Sequence, residues 1–226
     1  MPVNQSANLR RGVIWLVLLC LVVYRLFHLP PAVADRIRTS LPAWWALWIS
    51  GAIWVLFSIY WEIEAKKAAR DKSRESSASR GLHVLIVNVA LLLLFIPVPG
   101  LNGRFLPVAL MPLGLAIQTG GVLLAVWARR HLGRNWSGRV TLKVDHELVR
   151  TGPYRFVRHP IYTALLAMYA GTAVVSGEWH ALVGFVLVPL AYWRKIRIEE
   201  ANLAGAFGAS WDDYCRSTRA LVPGLF

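Results

Sequence analysis

The sequence predicts an all-α, polytopic integral membrane protein of about six helices, the last two forming a short hairpin. Three observations carry that prediction. The first is composition: 56% of the 226 residues are hydrophobic, 11 are tryptophan and the mean hydropathy is +0.47, more apolar than a soluble domain of this length needs for its core. The second is the spacing of the apolar runs. Four of them, long enough or nearly so to cross a bilayer as helices of about 20 residues, begin near Gly12, Ala43, Leu82 and Pro107, and two shorter ones follow Pro160 and Trp179. The third is charge. The chain carries a net +13, and with six spans every one of its 25 basic residues except Arg25, Arg36, Arg38 and Arg104 falls on one side. The positive-inside rule assigns that side, with both termini, to the cytoplasm; the expected setting is a bacterial inner membrane.

The same distribution argues against a nucleic-acid binder, because no aromatic-basic stacking motif accompanies the charge. It also argues against a transporter or channel, which would carry ionisable residues within its spans. The six histidines are scattered without paired spacing, so no metal site is expected. Cys20 and Cys215 are too far apart in the chain to read as a disulfide framework.

Taken in order, the first run, Gly12 to His28, follows Arg10 and Arg11 and precedes "AVA" at 32–34, which looks like a signal-peptidase site. Arg25 and the prolines at 30 and 31 fit a membrane exit equally well, and removal of this span would break the parity that the charge bias requires, so it is read as retained. The segment "EIEAKKAARDKSRESSASR" (62–80) reads as a helix end running into a solvated connector. "PVPGLNGRFLP" is an external turn. These four spans make up a region 1–128. A second region, 129–226, begins with a polar segment of about thirty residues, long for a spacer in a compact protein. It continues with two helices near 160–175 and 180–198, the second expected to kink at Pro189. The remaining tail, carrying both acids and aromatics, is expected to fold back beside the 129–159 segment.

The polar chemistry gathers at the start of the hairpin. "GPYRFVRHPIY" (152–162) puts Pro160 where a helix begins and His159 just outside it. A helix N-terminus with unpaired amides, beside Arg158 and His159, suits a carboxylate or phosphate; the plainer reading makes Arg155 and Arg158 charge anchors and His159 an interfacial cap. A second cluster, "RKIRIEEANL" (194–203), sets Glu199 and Glu200 on the helix as it leaves the membrane. Pairing of Lys195 with Glu199 and of Arg197 with Glu200 would account for them too, although basic before acidic is the weaker order. Together the clusters suit a ligand with a carboxylate at one end and hydroxyls or positive charge at the other. S-adenosylmethionine is such a ligand.

"HELVRTGPYRFVRHPIYTALL" (146–166), followed by "RIEEANLAGAFGASWDDYCRSTRALVPGLF" from 197 onward, resembles the isoprenylcysteine carboxyl methyltransferase family of integral membrane enzymes. Phospholipid N-methyltransferases and bacterial thiol methyltransferases belong to the same larger group. The likeness covers about the last hundred residues, including "LGRNWSGRV" (132–140); the first four spans show no specific match and are free to vary with substrate. The resemblance implies a cytoplasmic, C-terminal pocket for S-adenosylmethionine. Its pattern falls on Tyr154, Arg158, His159 and Tyr162 and on Glu199 and Glu200, with His146 and Leu148 in the lead-in beside the adenine. Asn135 and Trp136 are candidates on the acceptor side, though "NWS" reads equally as an interfacial anchor. Two positions depart from the pattern: Trp211 stands where tyrosine is common and Ala164 where glycine is common.

The implied reaction is methyl transfer to a lipophilic acceptor reached through the bilayer, a prenylcysteine-type carboxylate first, a phospholipid amine or small thiol as alternatives. Proximity and orientation are the enzyme's main task in such a transfer. An anionic acceptor needs no general base, so no catalytic residue is assigned. A membrane reductase of the sterol type, using a dinucleotide, shares the hairpin and the acidic, aromatic tail and remains the competing reading; a non-catalytic scaffold would leave both clusters unexplained.

Overall fold

The structure, a computed structural model, describes residues 44–65, 77–101, 103–133, 136 and 148–223. The expected first span, Gly12 to His28, and most of the segment between residues 134 and 147 lie outside these. Within the described residues the chain is helical, with two isolated bridges and no strands. Six helices follow one another: α1 (Trp44–Ala65), α2 (Ser77–Phe95), α3 (Met111–Leu132), α4 (Pro160–Ser176), α5 (Trp179–Phe207) and α6 (Ala209–Ser217). Two stretches, Trp45–Ala65 and Val108–Leu132, are long and apolar enough to cross a membrane; Gly81–Phe95 and Pro160–Ser176 are apolar but shorter.

The closest packing is between α3 and α4, and small residues make it possible. A Cβ on Gly121 would stand 2.7 Å from the carbonyl oxygen of Ala164, and one on Gly114 would stand 2.7 Å from that of Gly171. The helices therefore meet backbone to backbone, as small-residue seams in membranes allow. Ala164, which departs from the family pattern, is fully buried on this seam. Deeper in the same layer, α1 is tied to α3 and α4 by polar groups. The Gln118 amide donates to the Ser50 carbonyl (3.0 Å), and Trp54 Nε1 donates to the Thr172 hydroxyl (2.9 Å).

The hairpin differs from its expected length. Helix α4 ends at Ser176, as the following glycine dictates, but α5 does not stop where hydropathy falls near residue 198. It runs on through Pro189 and the acidic pair to Phe207, a total of 29 residues. Beyond the apolar part, contacts with the 154–162 region hold this helical extension in place. On the opposite side of the molecule the turn before α3 grips the hairpin bend. Phe105 N donates to Gly177 O (2.8 Å), and Arg104 Nη1 donates to Ser176 O (2.8 Å). His180 bridges the Leu93 carbonyl (2.6 Å) and the Glu178 carboxylate (3.0 Å).

Candidate functional site

Helix α4 begins where the sequence reading placed it. Pro160 is its first residue, and His159 is the cap, extended enough (φ −124°, ψ 59°) to turn its side chain out of the helix. Just before it, residues Gly152–Arg155 form one 3₁₀ turn. That turn needs its glycine: Gly152 has φ +58°, and a Cβ there would meet the ring of His131 at 2.6 Å. His131 in turn bonds the Thr151 hydroxyl (2.7 Å) and stacks on Tyr154.

The residues after α6 fold back over this start. Val157 and Arg219 form a parallel bridge; Arg158 N donates to Arg219 O (2.8 Å) and His159 N to Ala220 O (3.0 Å). The Thr163 hydroxyl donates to Leu221 O (2.6 Å), and the Arg158 guanidinium donates to the Thr218 carbonyl. The Tyr214 hydroxyl reaches Tyr154 O (2.5 Å), and the Arg150 side chain reaches the Ser210 carbonyl. The tail thus lies against the 150–163 segment, as its composition suggested.

Both halves of the predicted constellation meet here. Arg158 Nε donates to Glu200 Oε1 at 2.9 Å, and His159 Nε2 lies 3.0 Å from the same oxygen. Facing a carboxylate, Nε2 is the protonated ring nitrogen. Tyr162 donates its hydroxyl to Glu199 Oε2 (2.6 Å), while its ring stacks on His159 at 5.4 Å and packs against Tyr192 at 5.0 Å. The two acids are therefore bonded by α4 and its cap; Arg197 lies over Trp193, and Lys195 over the Tyr162 ring. Both bonds to Glu200 fall on Oε1, so among the described residues Oε2 has no protein donor.

Electrostatics follow the geometry. Burial pushes the Glu200 carboxyl up, but the bonds from His159 and Arg158 and their charges outweigh it, leaving the group below its ordinary value. Burial raises the Tyr154 hydroxyl, and nearby Glu199 raises it further, so it stays a neutral donor. Burial also pushes Tyr214 up, to about 12, against the pull of Arg158 and Arg150.

The remaining candidates divide. Leu148 is half-buried ahead of the 3₁₀ turn. Trp136 is buried, edge-on to Trp61 at 5.4 Å and beneath the Arg129 guanidinium at 4.3 Å, in one apolar cluster with Tyr154 and Ile161. His146 and Asn135 lie outside the described residues. Trp211 is buried under Arg158, with the guanidinium 6.0 Å from its ring, and edge-on to Tyr214; a tryptophan thus serves as the platform at this position. Sequence reasoning passed over Tyr192 and Arg129. Tyr192 stands seven residues before Glu199, two helical turns along one face of α5, a spacing that could have marked it. Arg129 was absorbed into the general count of cytoplasmic charge.

Comparisons with known proteins concern this same part of the chain. The family model described as phospholipid methyltransferase matches residues 110–210. Protein-S-isoprenylcysteine O-methyltransferase of Schizosaccharomyces pombe is 34% identical over 80 residues, 35% of this chain and 34% of that protein. Methanethiol S-methyltransferase 2 of Bradyrhizobium diazoefficiens is 41% identical over 75 residues, 32% of this chain and 27% of that protein. The matched part thus spans about a third of the length of these curated relatives. Among solved structures, that of the eukaryotic intramembrane Ras methyltransferase ICMT (isoprenylcysteine carboxyl methyltransferase) superposes with a TM-score of 0.53 at 19% identity. The match covers 98% of this chain and 87% of that one, a likeness of fold.

Proposed function

We propose that the chain is a membrane-embedded methyltransferase of the isoprenylcysteine carboxyl methyltransferase family using S-adenosylmethionine, a reading supported by the phospholipid methyltransferase model over residues 110–210 and by the likeness to isoprenylcysteine O-methyltransferases. The observation that carries the reading is the convergence of Arg158 and His159 on Glu200, beside Tyr162 on Glu199. The residues fit the methyl donor chemically. Glu200 Oε2, without a donor among the described residues, suits a ribose hydroxyl or the ammonium group; the Arg158 guanidinium before α4 suits its carboxylate; Tyr154, Tyr162 and Tyr192 supply flat apolar walls. His146 and Leu148 are assigned to the adenine side, and Asn135 and Trp136 to the acceptor side.

The donor supplies an electrophilic methyl group on a sulfonium. The chain's own work is placement. Arg158 and His159, fixed by the tail carbonyls, hold Glu200 and Tyr162 holds Glu199, each at one position and one orientation, and the buried tyrosines exclude water from the approach line. Neither a carboxylate nor a thiolate acceptor gives up a proton in the transfer, so no base is required of the protein.

The acceptor class proposed first is a lipophilic carboxylate of the prenylcysteine type, approached from the bilayer. A thiol is the second reading, favoured by the 41% identity to a methanethiol methyltransferase. Calorimetric titration of S-adenosylmethionine into the detergent-purified protein tests the proposal. Saturable binding is expected, weakened at least about tenfold by His159→Ala or Glu200→Gln, the loss of one charge-assisted bond. Absence of binding by folded protein would overturn it and make dinucleotides the next ligands to titrate.

A further inference from the structure

The end of the molecule away from the acidic pair holds a second titratable cluster, where α2, the turn before α3 and the α4–α5 bend meet. The turn supplies carbonyls to the start of α5: Trp179 N donates to Gly103 O (3.2 Å) and His180 N to Leu101 O (3.2 Å). Glu178, the cap of α5, makes no side-chain capping bond. Its carboxylate oxygen Oε2 lies instead 3.0 Å from His180 Nε2. On the other side of the ring, His180 Nδ1 lies 2.6 Å from Leu93 O. That carbonyl is open to the ring for a reason written in the sequence: one helical turn on stands Pro97, which has no N–H to return to it.

The His180 side chain is 3% exposed and that of Glu178 30%. Both ring nitrogens therefore face oxygens that only accept, a carbonyl and a carboxylate. A neutral imidazole carries one N–H and can meet one of them, whereas the imidazolium meets both. Arg104 is the nearby cation; it is bridged to Glu178 through the backbone and donates its Nη1 to Ser176 O. The segments packed around the ring, 84–101, 105–128, 168–177 and 181–191, contain no Asp, Glu, Lys, Arg or His. The Tyr169 phenol on α4 donates elsewhere, to Val87 O (3.2 Å). His180 precedes the apolar stretch of α5, which begins at Ala181. Burial disfavours its charged ring, but the bonds to Glu178 and Leu93 and the Glu178 charge outweigh burial and hold the imidazole above its ordinary value.

We propose that His180 is a proton-dependent latch: as an imidazolium it ties the cap of α5, through Glu178, to the end of α2, through Leu93, and on losing a proton to solvent it releases one of the two. The latch closes one end of a backbone-to-backbone seam, since a Cβ on Gly184 would stand 2.7 Å from Ala90 O and 2.9 Å from Leu93 Cβ. Its stabilisation is complete below the ordinary histidine range and is lost as pH rises through the raised folded value. The inference does not depend on which ligand the other end of the molecule binds.

The test is an NMR titration of the detergent-purified full chain carrying nitrogen-15 histidine, as wild type and Glu178→Gln, with His180→Gln to assign the signal. Wild type is expected to hold protons on both His180 ring nitrogens at about pH 6.5 and to lose one only above it. In Glu178→Gln the amide can donate to an unprotonated Nε2 and keep both contacts. The titration should then move down by at least about one pH unit, a tenfold loss of proton affinity. Thermal unfolding should follow, with wild type at least about 2 °C more stable than Glu178→Gln in mild acid and the gap closing as pH rises through the wild-type titration. Should His180→Gln fail to fold, the histidine signal that Glu178→Gln moves identifies the residue. The inference is overturned if His180 titrates at or below the ordinary histidine value in wild type, if Glu178→Gln moves no histidine titration, or if the stability gap stays constant with pH.

Discussion

Glu200 concentrates the site's polar chemistry in one carboxylate, and its pH response follows from the direction of its shift. Its carboxyl sits below the ordinary value in the folded protein because Arg158 and His159 both bond the charged form. The stabilisation this gives is complete above the ordinary carboxylate range and is lost as pH falls through the depressed folded value. Wild type should therefore be more stable than Glu200→Gln by about 1–3 kcal/mol at neutral pH, the size of charge-assisted hydrogen bonds. The two should converge in acid, and thermal unfolding across a pH series measures this. An unchanged gap at low pH would mean that the carboxylate contributes through packing alone. Arg158, His159, Tyr162 and the two acids were legible in the sequence because five polar side chains in a greasy chain have few other reasons to sit at a helix start and a helix exit. Arg129 was not legible. A basic residue on the cytoplasmic side satisfies the positive-inside rule whether or not it is buried, so composition cannot separate an anchor from an internal cation.

Helix α3 offers an internal control for how its seam with α4 is built. Gly120 and Gly121 are adjacent, yet a Cβ on Gly120 meets nothing within 4 Å, whereas one on Gly121 meets the Ala164 carbonyl at 2.7 Å and the Met168 side chain at 2.8 Å. Gly120→Ala should be neutral or stabilise by up to about 1 kcal/mol through helix propensity. Gly121→Ala should destabilise by about 1–3 kcal/mol, because two backbones must move apart. Thermal shifts of the two purified variants compare them directly; equal effects would mean that the seam is looser than its geometry. The apolar cores of the described helices were readable from hydropathy, which is a local property. The end of α5 was not. Its last two turns follow the charged stretch 194–200 and are exposed in part, and the helix continues into them while Glu199 and Glu200 are bonded by residues some forty positions earlier, information that no window of neighbouring residues contains.

At the scale of the whole molecule, the described polar clusters fall at opposite ends of the helices. Residues 150–163, the acidic end of α5 and α6 share one end of the helices, while the Arg104 turn and the α4–α5 bend share the other. The positive-inside rule predicts a cytoplasmic position for the first end, where a charged methyl donor would be supplied. In a background with Cys20 and Cys215 replaced, a membrane-impermeant maleimide should label Pro99→Cys in intact cells and Ser210→Cys only after lysis. The reverse pattern would invert the orientation.

The carbonyls of residues 218–221 hold Arg158, His159 and Thr163 in place, and this fixes a moment in the protein's synthesis. Helix α4 can enter the membrane while the ribosome is still adding residues, but its polar start lacks its partners until Glu200 and then Leu221 have cleared the exit tunnel. A chain interrupted before that point would lack the carbonyls that hold Arg158, His159 and Thr163, so the start of α4 is completed only when both partners are present.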